Sequence, residues 1–207
     1  ESISFTAFVL ACLGQAVAQD RRVHALLNWR NQLILFDDVD VMITIEIERD
    51  GEKFPLVHTL RAVNRRSPRQ MHDEIRAIQA DPASSVAARG WLLRWFYLLP
   101  GFVRHTVYRL VQRSPQMRKD FAGTVGFTSV GMFGGSGGWG LGMPNHSLAV
   151  TLGGIARKPG VVADAVEIRE YLSVTISFDH DIVDGAPAAR FARRLVQLIE
   201  QGYGLES

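Results

Sequence analysis

Residues 177–191 read SFDHDIVDGAPAARF, and the way this stretch changes period constrains the fold more than any other part of the chain. Just upstream, Leu172, Val174, Ile176 and Phe178 alternate with Ser173, Thr175 and Ser177, the two-residue period of a half-buried strand. The alternation stops at Asp179-His180-Asp181, and Asp184-Gly185 marks a turn. From Pro187 onward Phe191, Leu195, Leu198 and Ile199 form one apolar stripe at helical spacing that ends near Gly202. A histidine at the junction of two rigid elements can be oriented by packing and by a second hydrogen bond, and histidine titrates near neutrality. His180 is therefore the first candidate for a general base.

The rest of the chain predicts an α+β order. Residues 4–18 place apolar side chains at helical spacing and predict a buried opening helix, with a shorter apolar stretch at 23–29. Residues 31–36 have strand character, and Val39, Val41, Ile43, Ile45 and Ile47 alternate with Asp40, Met42, Thr44 and Glu46. The turn RDGEK at 49–53 joins this strand to residues 54–60 as a hairpin. Ser67 followed by Pro68 predicts a capped helix closed by Asp81-Pro82. Strands are predicted over 147–155 and 166–178, separated by the turn RKPG at 157–160. Helix, hairpin, helices, strands and a final helix are the pattern of an α+β domain.

Charge is informative through its distribution. Arg61 to Lys119 holds twelve Lys or Arg against Asp73, Glu74 and Asp81, whereas the whole chain carries only +2. A basic central third suits an anionic partner. Within it, residues 86–113 are aromatic, apolar and basic at once and are broken into two helical pieces by Pro100-Gly101. Two readings stand: a helical layer packed on the domain with its arginines outward, or a pair of helices that meets a membrane surface or a partner. The lone Cys12 lies in an apolar run and predicts a core residue, excluding an intrachain disulfide framework. That cysteine usage and an opening segment without a basic start predict a soluble, cytoplasmic protein. In GGSGGWG, Gly135, Gly137 and Gly140 match GxGxxG, but LGMPNHS cannot open the helix a dinucleotide loop needs. The glycines are read instead as a loop needing positive φ or close backbone approach. No HxH or HExxH spacing occurs, and no metal site is expected.

Residues 177–200, SFDHDIVDGAPAARFARRLVQLIE, resemble the active-site signature of the dihydrolipoyl acyltransferases of 2-oxo acid dehydrogenase complexes, a family sharing its fold with chloramphenicol acetyltransferase. Residues 123–134, GTVGFTSVGMFG, are similar to that family's second signature, a Gly-Thr strand leading through a hydroxyl residue to Gly-Met-Phe-Gly. Residues 5–29 and 54–79 are similar in order and pattern, while 81–119 are not covered. The resemblance implies a single chloramphenicol acetyltransferase-like domain over 1–207, with a mixed central sheet flanked by helices and a divergent basic, aromatic insertion at about 81–119. It implies a homotrimer or an assembly of trimers, coenzyme A as the acyl-carrying cofactor, and lipoamide on a separate protein as another acceptor or donor. His180 would be the general base and Thr128 the oxyanion donor, with Ser129 the alternative if the register slips; Asp184 would order the site, Gly185 let the chain turn, and His146 line the loop side.

This sequence departs from the family where Asp181 replaces the usual arginine after the histidine, and it is short at the N-terminal side of the family pattern. The alternative function is accordingly a catalytically disabled trimeric scaffold or binding module. Residues 90–113 would meet an acidic protein or an anionic membrane surface, and no nucleic-acid partner is expected.

Overall fold

The computed structural model describes residues 2–49, 51–82, 95–130, 137–142 and 145–205. Helix α1 (Phe5–Gln19) is buried over most of its length, which its uniformly apolar FVLACLG run requires. The Ser4 hydroxyl accepts from the Ala7 amide, and the Ser4 amide donates to His72 Nδ1 at 3.0 Å, tying the helix start to its neighbour. Cys12 is fully buried, and burial pushes its thiol up to about 11, so it is a core residue as expected. Short strands β1 (Leu26–Leu27) and β2 (Leu33–Ile34) form a separate two-stranded ribbon, less strand than residues 31–36 predict.

Strands β3 (Val41–Arg49) and β4 (Glu52–Leu60) pair antiparallel from Val41↔Leu60 to Arg49↔Glu52, the predicted hairpin. Helix α2 (Pro68–Ala80) starts where Ser67-Pro68 places it, and Gln70 closes a capping box with Ser67. Helices α3 (Gly101–Arg113) and α4 (Pro115–Ala122) precede β5 (Val125–Ser129), β6 (Leu148–Val162), β7 (Ala165–Phe178) and the final helix α5 (Gly185–Glu200). Sheet order is β4-β3-β5-β6-β7, with β3, β5 and β6 parallel and both outer pairs antiparallel. One sheet face, including Ile43, Phe127, Val150 and Leu152, packs with Leu10, Leu13, Met71 and Leu195 of the helices in the core.

Two expectations are corrected. The RKPG segment is no turn: Pro159 pairs with Ile168 inside a long β6–β7 ribbon whose turn lies at Ala163-Asp164, both with positive φ. Proline is tolerated there because β5 pairs only as far as Leu152, leaving the outer part of β6 with an open edge that needs no N–H donor. The packed helical layer is also not what forms at 101–122: neither α3 nor α4 has a buried residue, and Phe102, Tyr108, Leu110 and Phe121 are exposed. Residues 83–94 of that segment lie outside the described residues.

Candidate active site

At the end of β7, Phe178 packs edge-on against Phe191 of α5, with ring centroids 5.6 Å apart. The next residue is pinned at three points. The Asp179 amide donates to the Ser147 carbonyl at 2.9 Å, its own carbonyl accepts from the Ile182 and Val183 amides, and its carboxylate accepts from the Asp181 amide at 3.1 Å. Val183 anchors the far side of this turn in the core. His180 rides on the turn between these anchors, exposed, and forms no side-chain hydrogen bond among the described residues. A fixed backbone carrying an uncommitted imidazole is what proton exchange with an incoming ligand requires.

Asp184 is the N-cap residue of α5, yet its carboxylate makes no capping bond and is exposed. Gly185 begins the helix itself without a positive φ, and a Cβ there would meet nothing within 4 Å. The bend expected of Gly185 is therefore taken up earlier, by the 179–183 turn.

Thr128 sits on β5, half-buried, in register with Thr151 of β6, which pairs in turn with Thr175 of β7. The three threonines form a row on the sheet face opposite Phe127, Val150 and Ile176. Thr151 and Thr175 are partners that sequence reasoning missed, because the pairing of β5 with β6 across some twenty intervening residues leaves no local signal. Ser129, one residue on, pairs with Leu152 and so belongs to the core-facing side. The Gly-Met-Phe-Gly turn at 131–134 lies outside the described residues.

His180 and Thr128 are not brought together within one chain. Phe178 is level with Leu148 and Val125, the start of β5, whereas Thr128 is level with Thr175. Three residues of strand and two strand spacings put Thr128 about 14 Å from the end of β7, before the turn to His180 adds its own reach. Asp184 lies at the His180 end.

His146 lies with its Nε2–H donating to the Ala122 carbonyl at 2.9 Å and is buried. Burial, reinforced by Arg118, holds its pKa below the ordinary imidazole value against the opposing effect of that backbone bond. Its Nδ1 lies over Gly126, where a Cβ would come within 2.9 Å. The described part of the glycine-rich loop uses its glycines by positive φ at Gly137 and by close approach at Gly140, where a Cβ would come within 2.6 Å of Thr151 Cγ2; the facing glycines of β6 take part too, the Gly154 amide donating to the Gly138 carbonyl at 2.9 Å and Gly153 lying against the same oxygen.

This mixed sheet with helices on one face is an α+β fold of the chloramphenicol acetyltransferase type, which chloramphenicol acetyltransferase itself matches at TM-score 0.51 and 11% identity over 94% of this chain and 77% of that chain. Residues 111–205 match the family described as 2-oxoacid dehydrogenases acyltransferase (catalytic domain). The acetyltransferase component of the pyruvate dehydrogenase complex of Zymomonas mobilis is 34% identical over 83 residues, 40% of this chain and 19% of that protein. The match thus spans about a fifth of that relative's length. A probable dihydrolipoamide acetyltransferase of Listeria monocytogenes superposes with TM-score 0.68 and 17% identity over all of this chain and 74% of that one. The dihydrolipoamide acetyltransferase of Azotobacter vinelandii, studied for the roles of a serine, a histidine and an asparagine in its catalytic mechanism, superposes with TM-score 0.67 and 17% identity over 95% and 68%. Over residues 111–205, somewhat under half of its length, the chain is similar to the 2-oxoacid dehydrogenase acyltransferase catalytic domains, and the solved structures share its fold.

Proposed function

We propose that the protein is an acyltransferase that moves an acyl group between coenzyme A and a thiol or other small acceptor, at a site assembled between copies of the chain. The observation that carries this reading is the separation, within one chain, of an uncommitted His180 at the end of β7 from Thr128 on the central strand β5. In the Azotobacter relative the serine stands 52 positions before the histidine and the asparagine four after it. Thr128 and Asp184 stand at those same distances from His180, which supports Thr128 over Ser129 as the hydroxyl donor. A neighbouring copy would bring its Thr128 to this copy's His180, making a homotrimer the assembly that fits, alone or in a larger array of trimers. The β6–β7 ribbon, with Val161, Val166 and Ile168 exposed, is a surface such an assembly would cover.

In this mechanism His180 takes the proton of the thiol, and the sulfur attacks the thioester carbonyl carbon. The oxygen that gains charge accepts a hydrogen bond from the Thr128 hydroxyl. When the tetrahedral adduct collapses, the departing thiolate takes the proton back from the imidazolium, so the base is regenerated. A thiol with a pKa of about 8.5 is mostly protonated at neutrality, which is why a base is needed. Dihydrolipoamide on a separate protein is one acceptor class, and a cytoplasmic location belongs to the same reading. The insertion at about 81–119 would be this domain's own addition.

Thiol release from acetyl- and succinyl-coenzyme A, measured with dihydrolipoamide and other small acceptors, tests the assignment. His180→Ala is expected to lower the rate by about 10²–10⁴-fold. Equal rates for wild type and variant would remove the base, and absence of any coenzyme A binding by calorimetry would favour the disabled-scaffold reading that Asp181, exposed beside His180, leaves as the rival.

A further inference from the structure

The segment 95–121 stands apart from the rest of the surface. Trp95, Tyr97, Leu98, Phe102, Tyr108 and Leu110 are all more than half exposed, Leu98 and Phe102 by about three quarters (75% and 74%). Helix α3 has no buried residue, and its substantial packing is against α4. Between Trp95 and Lys119 there is no Asp or Glu, while Arg109 and Arg113 are exposed and Arg104 and Arg118 half-exposed; Lys119 turns inward to Asp40, and Asp120 follows it. The surface also reaches beyond the helix: Trp29, in the turn between β1 and β2, lines an open groove with Tyr108, Arg109 and Arg113, and Arg30 stacks on the Trp29 ring at 4.4 Å.

We infer that this aromatic and basic surface docks the protein on an anionic lipid bilayer. On α3, Val103, Val107, Leu110 and Val111 share one arc, with Val103 and Val111 half-buried, while Phe102 lies on the opposite, more exposed arc between Arg109 and Arg113, so an apolar ring and two guanidinium groups face outward together, as on a helix at an interface. Trp and Tyr with flanking Arg suit the headgroup level, where a ring is half in hydrocarbon and a guanidinium meets phosphate. The acid-free charge selects an anionic surface. It disfavours a second copy seated face to face, which would bring Arg109 and Arg113 against their own counterparts. A bilayer also offers what an acidic protein surface lacks, an apolar layer directly beneath the negative one. None of the helices among the described residues is long and apolar enough to cross a membrane, so attachment is at the surface. The inference does not depend on His180 being a base.

Flotation of the full chain with vesicles of equal parts phosphatidylcholine and phosphatidylglycerol, against phosphatidylcholine alone, is the test. Binding is expected to the anionic vesicles, to fall with added salt, and to drop roughly fivefold for each of Arg109→Gln and Arg113→Gln. Phe102→Ser with Leu110→Ser is expected to abolish it while circular dichroism and melting stay unchanged, since both side chains are exposed. No binding to the anionic vesicles, or equal binding to both kinds that neither salt nor the arginine changes reduce, overturns the inference. So does a lower oligomer mass by light scattering for Phe102→Ser with Leu110→Ser, which would make the face a contact between copies.

Discussion

A site assembled from two chains can be tested by mixing two dead proteins. His180→Ala removes the base and leaves Thr128 intact; Thr128→Val removes the hydroxyl at nearly constant volume and leaves His180 intact. Each alone should lose on the order of 10²-fold or more in rate. The strand register puts Thr128 about 14 Å or more from the His180 end of its own chain, too far for one substrate carbonyl to engage both side chains. If each site takes its histidine from one copy and its threonine from the next, a mixed assembly holds complete sites wherever a Thr128→Val chain faces a His180→Ala chain in the right order. Random assortment of equal amounts makes that about a quarter of all sites in a cyclic oligomer. Dissociating and reassembling the two variants together should therefore restore about a quarter of the wild-type rate of thiol release, and reassembling either alone should restore none. A mixture that stays at the level of its parents, while wild type recovers under the same protocol, would refute the two-chain site.

Acid should destabilise the fold through buried groups other than His180. Burial lowers the His24 pKa to about 4, so the unfolded chain binds the extra proton first as pH falls below about 6.5. Stability is then unaffected above that range and declines between about 6.5 and 4, by roughly 3 kcal/mol if His24 acts alone. His146 is shifted the same way, and Glu74, whose pKa is lowered chiefly by its hydrogen bond to His58, loses its contribution as pH falls through its folded value. Urea melts at pH 7.5 and 5 should show this loss; equal midpoints would contradict it. Gly153→Ala forces a Cβ into the Gly138 carbonyl at 2.2 Å and should cost about 1–3 kcal/mol, read as a lower denaturant midpoint. An unchanged midpoint would mean the loop is not held against β6.

Local rules wrote much of this molecule into its sequence. Ser67-Pro68 fixed the start of α2, the alternation of Val41, Ile43 and Ile45 fixed the face of β3, and the change of period after Phe178 placed His180 between a strand and a helix. These are effects of neighbouring residues on φ, ψ and burial, so they are legible one segment at a time. Where local chemistry and distant pairing disagreed, pairing won: Arg157 to Gly160 has turn composition but runs inside a strand, because β7 supplies a partner for every residue of it. The threonine row across β5, β6 and β7 and the separation of Thr128 from His180 follow from strand order, in which β3 and β5 are neighbours despite the long segment between them. Strand order is set by which faces bury together in three dimensions, and a one-dimensional pattern of apolar residues states only that a face exists. The exposure of Phe102 and Tyr108 is of the same kind, since an amphipathic helix has the same sequence whether its apolar side meets the core or is left for something else.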